Sequence, residues 1–228
     1  MSLRLNSKLY QAKMRALFLD TETTGLPKNK YKSAYEQKDN WPEPVSLSWI
    51  VTEGPTVVTA KSFIIKPQGW QIPEDSVKIH GISQEFAEKN GYDLEQVMHI
   101  FSKDIRSCDM VIAHNLEFDK NVILNIIIWH IKNDNFIKWP RKEFCTSENG
   151  RAICKLSYAN PRPPFAYKQP KLSEFYKQTF GTLPPQEMLH NSLGDVQILV
   201  SVFFRHWSLE QAASYVREEP QSPSFQKG

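Results

Sequence analysis

Ala16-Leu17-Phe18-Leu19-Asp20-Thr21-Glu22-Thr23-Thr24-Gly25-Leu26-Pro27 is the stretch from which the fold is read. An apolar run ends in two carboxylates two residues apart. Along a strand, positions i and i+2 point to one face, whereas a helix would splay them. Read as a strand, the run sets Asp20 and Glu22 side by side at its end, two hard oxygen ligands suited to Mg²⁺ or Mn²⁺. Gly25 and Pro27 then break the strand. The spacing alone is weak, since two acids so placed turn up about once per 300 positions at average composition. Asp93-Leu94-Glu95 repeats it, but follows Gly91-Tyr92 and opens a helical pattern, so it reads as charge in a first helical turn.

Working outward, Leu47–Val51 and Thr56–Ile65 are rich in β-branched and aromatic residues and are separated by Glu53-Gly54-Pro55, an antiparallel hairpin signal. Pro73–Ala87 reads as loop with short helical pieces. Leu94, Val97, Met98 and Phe101 give Asp93–Ile105 a helical period, with His99 and Asp104 on its solvated face. Met110–Ala113 reads as a short buried strand. Glu117–Ile131 reads as one long helix with Asn115 as its N-cap. Glu143–Thr146 is the fifth strand, and Ser147–Leu156, Leu172–Phe180 and Ser192–Trp207 are helical, with Gly181 a C-terminal stop. The order β-β-β-α-β-α-β-α-α-α predicts an α/β fold around one five-stranded mixed sheet flanked by helices.

The chain has 228 residues, enough for one domain with a full core. A net charge of +3 permits a nucleic-acid partner without arguing for one. Three cysteines with no C-x-x-C pair fit a reducing compartment and argue against a disulfide framework or thiolate zinc site. No signal-peptide pattern opens the chain, and Val122–Ile131 is too short to span a bilayer. The expectation is a soluble intracellular protein, cytoplasmic or nuclear. Residues 1–13 read as a polar lead-in, 14–207 as the domain and 208–228 as a polar tail. Within the domain, 28–44 is a basic and aromatic insertion and 160–170 a Pro-rich loop.

A site built on two divalent ions needs more carboxylates, placed where strands end and helices begin. Asp119 in His114-Asn115-Leu116-Glu117-Phe118-Asp119 falls in the first turn of the long helix, where the helix dipole favours an anion. Asp195 in His190-Asn191-Ser192-Leu193-Gly194-Asp195 sits beside a core stripe, and an acid there needs a partner such as a metal. His190 precedes that helix and can reach the same place. The five-residue step from His to Asp recurs at His99/Asp104 and His114/Asp119, so it is not specific by itself.

Taken together, Asp20-Thr21-Glu22-Thr23-Thr24-Gly25, Ile79-His80-Gly81-Ile82, His114-Asn115-x-x-Phe118-Asp119 and His190-x4-Asp195 resemble the DEDDh (DnaQ-like) family of 3′–5′ exonucleases, over about residues 14–207. Proofreading subunits, oligoribonuclease-type and RNase T-type enzymes belong to it. The DEDDy branch carries Tyr where this chain has Asn191. The resemblance implies a ribonuclease H-like fold and hydrolysis of phosphodiester bonds at 3′ ends, releasing nucleoside 5′-monophosphates. It implies that Asp20, Glu22, Asp119 and Asp195 hold two Mg²⁺ or Mn²⁺ ions and that His190 is the general base. It further implies a terminal-nucleotide pocket: the backbone at Thr23 and Thr24 against the sugar, Leu26, His80, Ile82 and Phe118 against the last bases, and Asn115 fixing a phosphate or sugar. The implied partner is a nucleic acid with a free 3′ end, DNA with single-stranded or frayed ends favoured and RNA the alternative. Docking on a DNA polymerase or another replication or repair protein stays open. The competing class is a binding module without chemistry, disfavoured because the four acids and the histidine are all present.

Overall fold

A computed structural model describes residues 13–159 and 166–215. Five strands, β1 (Arg15–Thr23), β2 (Pro44–Glu53), β3 (Thr56–Ile64), β4 (Met110–Ala113) and β5 (Lys142–Cys145), form one sheet in the order β3-β2-β1-β4-β5. β2 pairs antiparallel with β1 and β3 antiparallel with β2, while β4 pairs parallel with β1 and β5 parallel with β4. The parallel connections carry helices, as parallel pairing requires. The mixed α/β sheet expected from the sequence is the one observed.

Side-chain alternation along β1 divides the core. Leu17 and Leu19 join Trp49, Val111, Val97 and Phe101 under α3 (Leu94–Arg106) and α4 (Leu116–Asn125). Ala16 and Phe18 join Ile112, Phe144, Val196 and Phe203 under α7 (Ser192–His206). Asp20 and Glu22 continue the second series, so they emerge on the α7 face. The remaining helices are α1 (Glu74–His80), α2 (Gln84–Asn90), α5 (Thr146–Cys154), α6 (Leu172–Phe180) and α8 (Leu209–Ser214). α6 packs on the outside of α7 through Phe175, Ile198 and Val202. Among the described residues no helix is long and apolar enough to cross a membrane.

Several elements depart from their sequence expectations. β1 runs four residues past Leu19, because Asp20–Thr23 keep pairing with β2 until a bulge at Glu22/Thr23. The long helix stops at Asn125 and continues as a wider π turn, Ile126–Ile131, ended by Lys132 in the left-handed region (φ 59°). The apolar period could not reveal this change of pitch, which turns Trp129 and His130 toward the 28–44 segment. Asn115 occupies the N-cap position of α4 but in left-handed conformation (φ 75°), and its side chain makes no capping bond. Asp104 is not a solvated charge: Trp49 Nε1 donates to its Oδ2 at 2.7 Å and Lys61 Nζ pairs with the same oxygen at 2.7 Å. The segment read as tail opens with α8, whose Leu209 and Ala212 are buried against the α7 face of the sheet. Its polar residues mask a short apolar face that no periodicity count over six residues can pick out. Most of the lead-in, residues 160–165 of the Pro-rich loop and residues 216–228 lie outside the described residues.

Candidate active site

Three elements converge at the carboxyl end of β1. Ligand oxygens of Asp20, Glu22 and Asp195 lie within 4.8 Å of one another. Asp195 comes from the first turn of α7, and that helix end is fixed by a run of small hydroxyls. Ser192 Oγ lies 2.9 Å from Ser46 Oγ and 2.7 Å from Ser48 Oγ, and Ser48 is in turn bonded to Ser62. Ser46 and Ser48 pair across β2 with Glu22 and Asp20, so the serines share their face. Gly194 lets the 3₁₀ turn Gln186–Met188 come close, since a Cβ there would sit 2.2 Å from the Met188 carbonyl oxygen.

Asp119 arrives from the opposite face of the sheet and is the one acid of the expected four outside the tight cluster. Pairing of β1 with β4 stops at Phe18, leaving the next β1 amides without a strand partner on that side. Asp119 Oδ1 takes this place, accepting from Thr21 N at 3.0 Å and Thr21 Oγ1 at 2.8 Å. Thr21 alternates away from Asp20 and Glu22, so one tripeptide presents two acids to α7 and a clamp for the third to α4. Sequence reasoning passed over Thr21 because the early end of β4 is a tertiary fact.

The cluster is electrostatically strained without a cation. Burial, then Asp119, Asp195 and Glu22, push the Asp20 carboxyl well above the usual range. Burial, with Asp195 and Asp119, lifts Glu22 to about 7. Burial lifts Asp119 to about 7 against the two Thr21 bonds, and Asp195 to about 6 against the nearby His190 charge and backbone N–H. Clustered hard oxygen donors whose negative charges oppose one another fit divalent cations. His190 stands exposed beside Asp195 in the left-handed region, φ 58°. Such a conformation costs a non-glycine residue energy, and it persists here at the site's edge.

The expected substrate residues divide. Leu26, Asn115 and Phe118 line a cavity of about 570 Å³ with Lys28, Lys30, Tyr31 and Trp41. Thr23 spends its hydroxyl on the Gly25 carbonyl at 2.8 Å. Thr24 is clipped to Glu43 through both backbone and side chain, and Glu43 Oε2 lies 2.8 Å from His130 Nε2 of the π turn. His80 Nδ1 accepts from Ile82 N at 3.1 Å, and burial lowers the ring's pKa against an opposing interaction with the Thr23 backbone. Ile82 packs partly into the Val45–Ile72–Ala87 cluster, away from the cavity.

His114, in the same motif as Asp119, has a structural task. Its Nε2 lies 2.9 Å from the Pro170 carbonyl oxygen and its Nδ1 3.0 Å from Thr146 Oγ1. A carbonyl can only accept, so Nε2 carries the hydrogen and Nδ1 accepts from the threonine. Burial holds its pKa down at about 4, keeping the ring neutral. It thus ties the end of β4 to α5 and to the approach of α6.

A scan of protein families matches residues 17–203 to the RNase T exonuclease family. The chain belongs to that exonuclease family. Its DEDDh motif set and ribonuclease H-like sheet agree with the assignment. Among solved structures, exonuclease X in complex with 5′-overhanging duplex DNA is similar at 19% identity and TM-score 0.51, over 87% of this chain and 98% of that one. A product-bound exonuclease I is similar at 17% identity and TM-score 0.57, over 83% of this chain and 42% of that one. Exonuclease I from Methylocaldum szegediense is similar at 15% identity and TM-score 0.56, over 83% and 39%. This chain thus spans about two-fifths of the exonuclease I chains. No curated protein matches it.

Proposed function

We propose that the protein is a 3′→5′ exonuclease that removes nucleoside 5′-monophosphates from nucleic-acid 3′ ends, DNA with single-stranded or frayed ends foremost. The carrying observation is the convergence of Asp20, Glu22 and Asp195, with Asp119 close enough to raise Asp20, in a chain of the exonuclease family. Asp20, Glu22, Asp119 and Asp195 would hold two Mg²⁺ or Mn²⁺ ions. Such ions, when bound, lower the pKa of a nucleophilic water and neutralise the leaving oxygen. Thr21 keeps Asp119 ionisable and oriented by donating two hydrogen bonds to one of its oxygens. His190 accepts the water's proton on its imidazole, and its exposure lets that proton pass to solvent.

In the same reading Leu26 and Phe118 pack against the last base. Asn115 fixes a phosphate or sugar. The backbone at Thr23 and Thr24 faces the terminal sugar and is held there by Glu43. The structural neighbours solved with DNA support a DNA substrate. The test is digestion of oligonucleotides labelled at the 5′ end, as single-stranded DNA, duplex DNA and RNA, with Mg²⁺ or Mn²⁺. A ladder shortening from the 3′ end and stopped by EDTA is expected. Internal cuts, or shortening that persists in EDTA, would overturn the reading.

A further inference from the structure

We propose that His130 of the π turn is a positioning residue for the reaction: acting through Glu43, it fixes the backbone of Thr24, which faces the terminal sugar. The inference rests on the exonuclease reading and gives a task to a side chain that lies outside the substrate pocket.

The need for such a residue begins where the sheet ends. β1 and β2 stay in register to Glu22, and the bulge at Glu22/Thr23 brings Thr23 opposite Pro44. Proline has no N–H, so this pair lacks a ladder donor on the β2 side. One residue farther out, Thr24 is clipped to Glu43. Thr24 N donates to the Glu43 carbonyl at 2.9 Å, and Glu43 N donates to Thr24 Oγ1 at 3.0 Å. Glu22, two residues back, is one of the clustered acids. The setting of Thr24 therefore bears on the sugar and on the acid beside it.

Glu43 is stiff in its backbone and aimed in its side chain. It stands between Pro42 and Pro44, whose rings fix their own φ and restrict the residue before them. Its Oε2 lies 2.8 Å from His130 Nε2, and the two side chains are only 22% and 23% exposed. A carboxylate accepts, so Nε2 carries the hydrogen, and the neutral ring can make this bond as well as the cation. The ring also packs edge-on against Trp70, with centroids 5.4 Å apart. His99 and Glu95 on α3 show the contrast: they approach only to 3.8 Å, with side chains 60% and 65% exposed. A pair of that loose kind contributes little, whereas the His130 ring is held from two sides.

The π turn aims this ring. Trp129 Nε1 donates to the Ala34 carbonyl at 3.0 Å, so two consecutive side chains reach the two ends of the 34–43 segment. Consecutive residues of an α-helix point about 100° apart, and a turn with more residues narrows that angle. Lys132 closes the turn at φ 59°, a conformation that costs a residue with a side chain energy. Changes of pitch and strained stops of this kind gather where function sets the geometry.

The test pairs hydrogen exchange with kinetics. Mass spectrometry would follow exchange in peptides covering residues 21–26. Initial rates with Mn²⁺ would give kcat and KM on whichever of oligodeoxythymidylate and oligouridylate the wild type degrades faster. His130→Ala should speed exchange in these peptides, because the Thr24 clip loosens. It should lower kcat about tenfold and leave KM within about threefold, since what is lost is orientation, and a displacement of about 1 Å can cost 10²-fold. Glutamine sets an amide N–H close to where the imidazole Nε2–H stood, so His130→Gln should restore both readouts. Glu43→Ala removes the same bond and leaves the π turn intact, and the double variant should be no worse than either single one. His99→Ala should change neither readout. Unchanged exchange in His130→Ala, an equal kcat loss in His130→Gln, or losses that multiply in the double variant would each overturn the proposal. No degradation by the wild type would overturn the exonuclease reading, and this proposal with it. Degradation from the 3′ end with kcat unaltered in His130→Ala would overturn this proposal alone.

Discussion

Asp20 faces three other carboxylates, and burial and repulsion act on it in the same direction. Replacing it by asparagine removes a ligand and a repelling charge at once. Asp20→Asn should therefore lose nearly all nuclease activity and, in EDTA at pH 8, unfold at a higher denaturant concentration than the wild type. Lower stability together with lost activity would show that Asp20 supports the fold instead. His190 is separable from the proposed metal ligands, because the acids stay in place without it. His190→Ala should lower kcat by about 10²–10⁴-fold, as for loss of a general base. Calorimetry should find Mn²⁺ binding unchanged, and loss of that binding would make His190 a ligand. The acids stood out as candidates by their placement, two in strand alternation and one in each of two first helical turns, but each spacing alone is weak, and they and His190 were joined into one set through the resemblance to the exonuclease family. Thr21 and the serines that seat α7 did not stand out, since a hydroxyl serves too many purposes to be singled out before its neighbours in space are known.

At the level of elements, the apolar periods located every strand and most of the helices, because burial of one face is what makes either element stable. They failed where a side chain other than an apolar one decides the backbone. The π turn and the 28–44 segment are such a case, held together by Asn121, Trp129 and His130. Asn121 is 2% exposed and makes three bonds, accepting from Ala34 N at 2.9 Å and donating to the Glu117 carbonyl at 2.8 Å and Oε1 at 2.7 Å. Asn121→Ala would leave the Ala34 N–H unpaired beneath the loop, at a cost of about 1–3 kcal/mol. Urea denaturation should show that loss, and limited proteolysis should cut within residues 28–38 faster than in the wild type. Unchanged proteolysis would mean that Trp41 and Trp129 hold the segment by themselves.

For the whole molecule, the acidic site contributes to the metal-free protein a stability that falls as pH rises, opposed between about pH 4 and pH 6.5 by buried His114, whose depressed pKa acts the other way. Glu22 and Asp119 reach about 7 and Asp195 about 6 in the folded chain, against an ordinary carboxyl near 4 in the unfolded one. Between those values the folded state binds more protons than the unfolded state, so its stability falls as pH rises. The contribution is fully present below about pH 4 and is lost by about pH 7, as the folded groups ionise against one another. Divalent ions act on the same charges with the opposite pH dependence, since protons and cations compete for one set of oxygens. Thermal unfolding in EDTA should therefore show a site-dependent decline from pH 5 to pH 8, shallower in Glu22→Gln, which removes one of the carboxyls that titrate in that range. Adding Mn²⁺ should raise the midpoint more at pH 8 than at pH 5. At a hundredfold excess over Kd the gain is about 2.7 kcal/mol, or roughly 5–10 °C for a chain of this size. An equal or larger shift at pH 5 would place the bound ion away from these carboxylates.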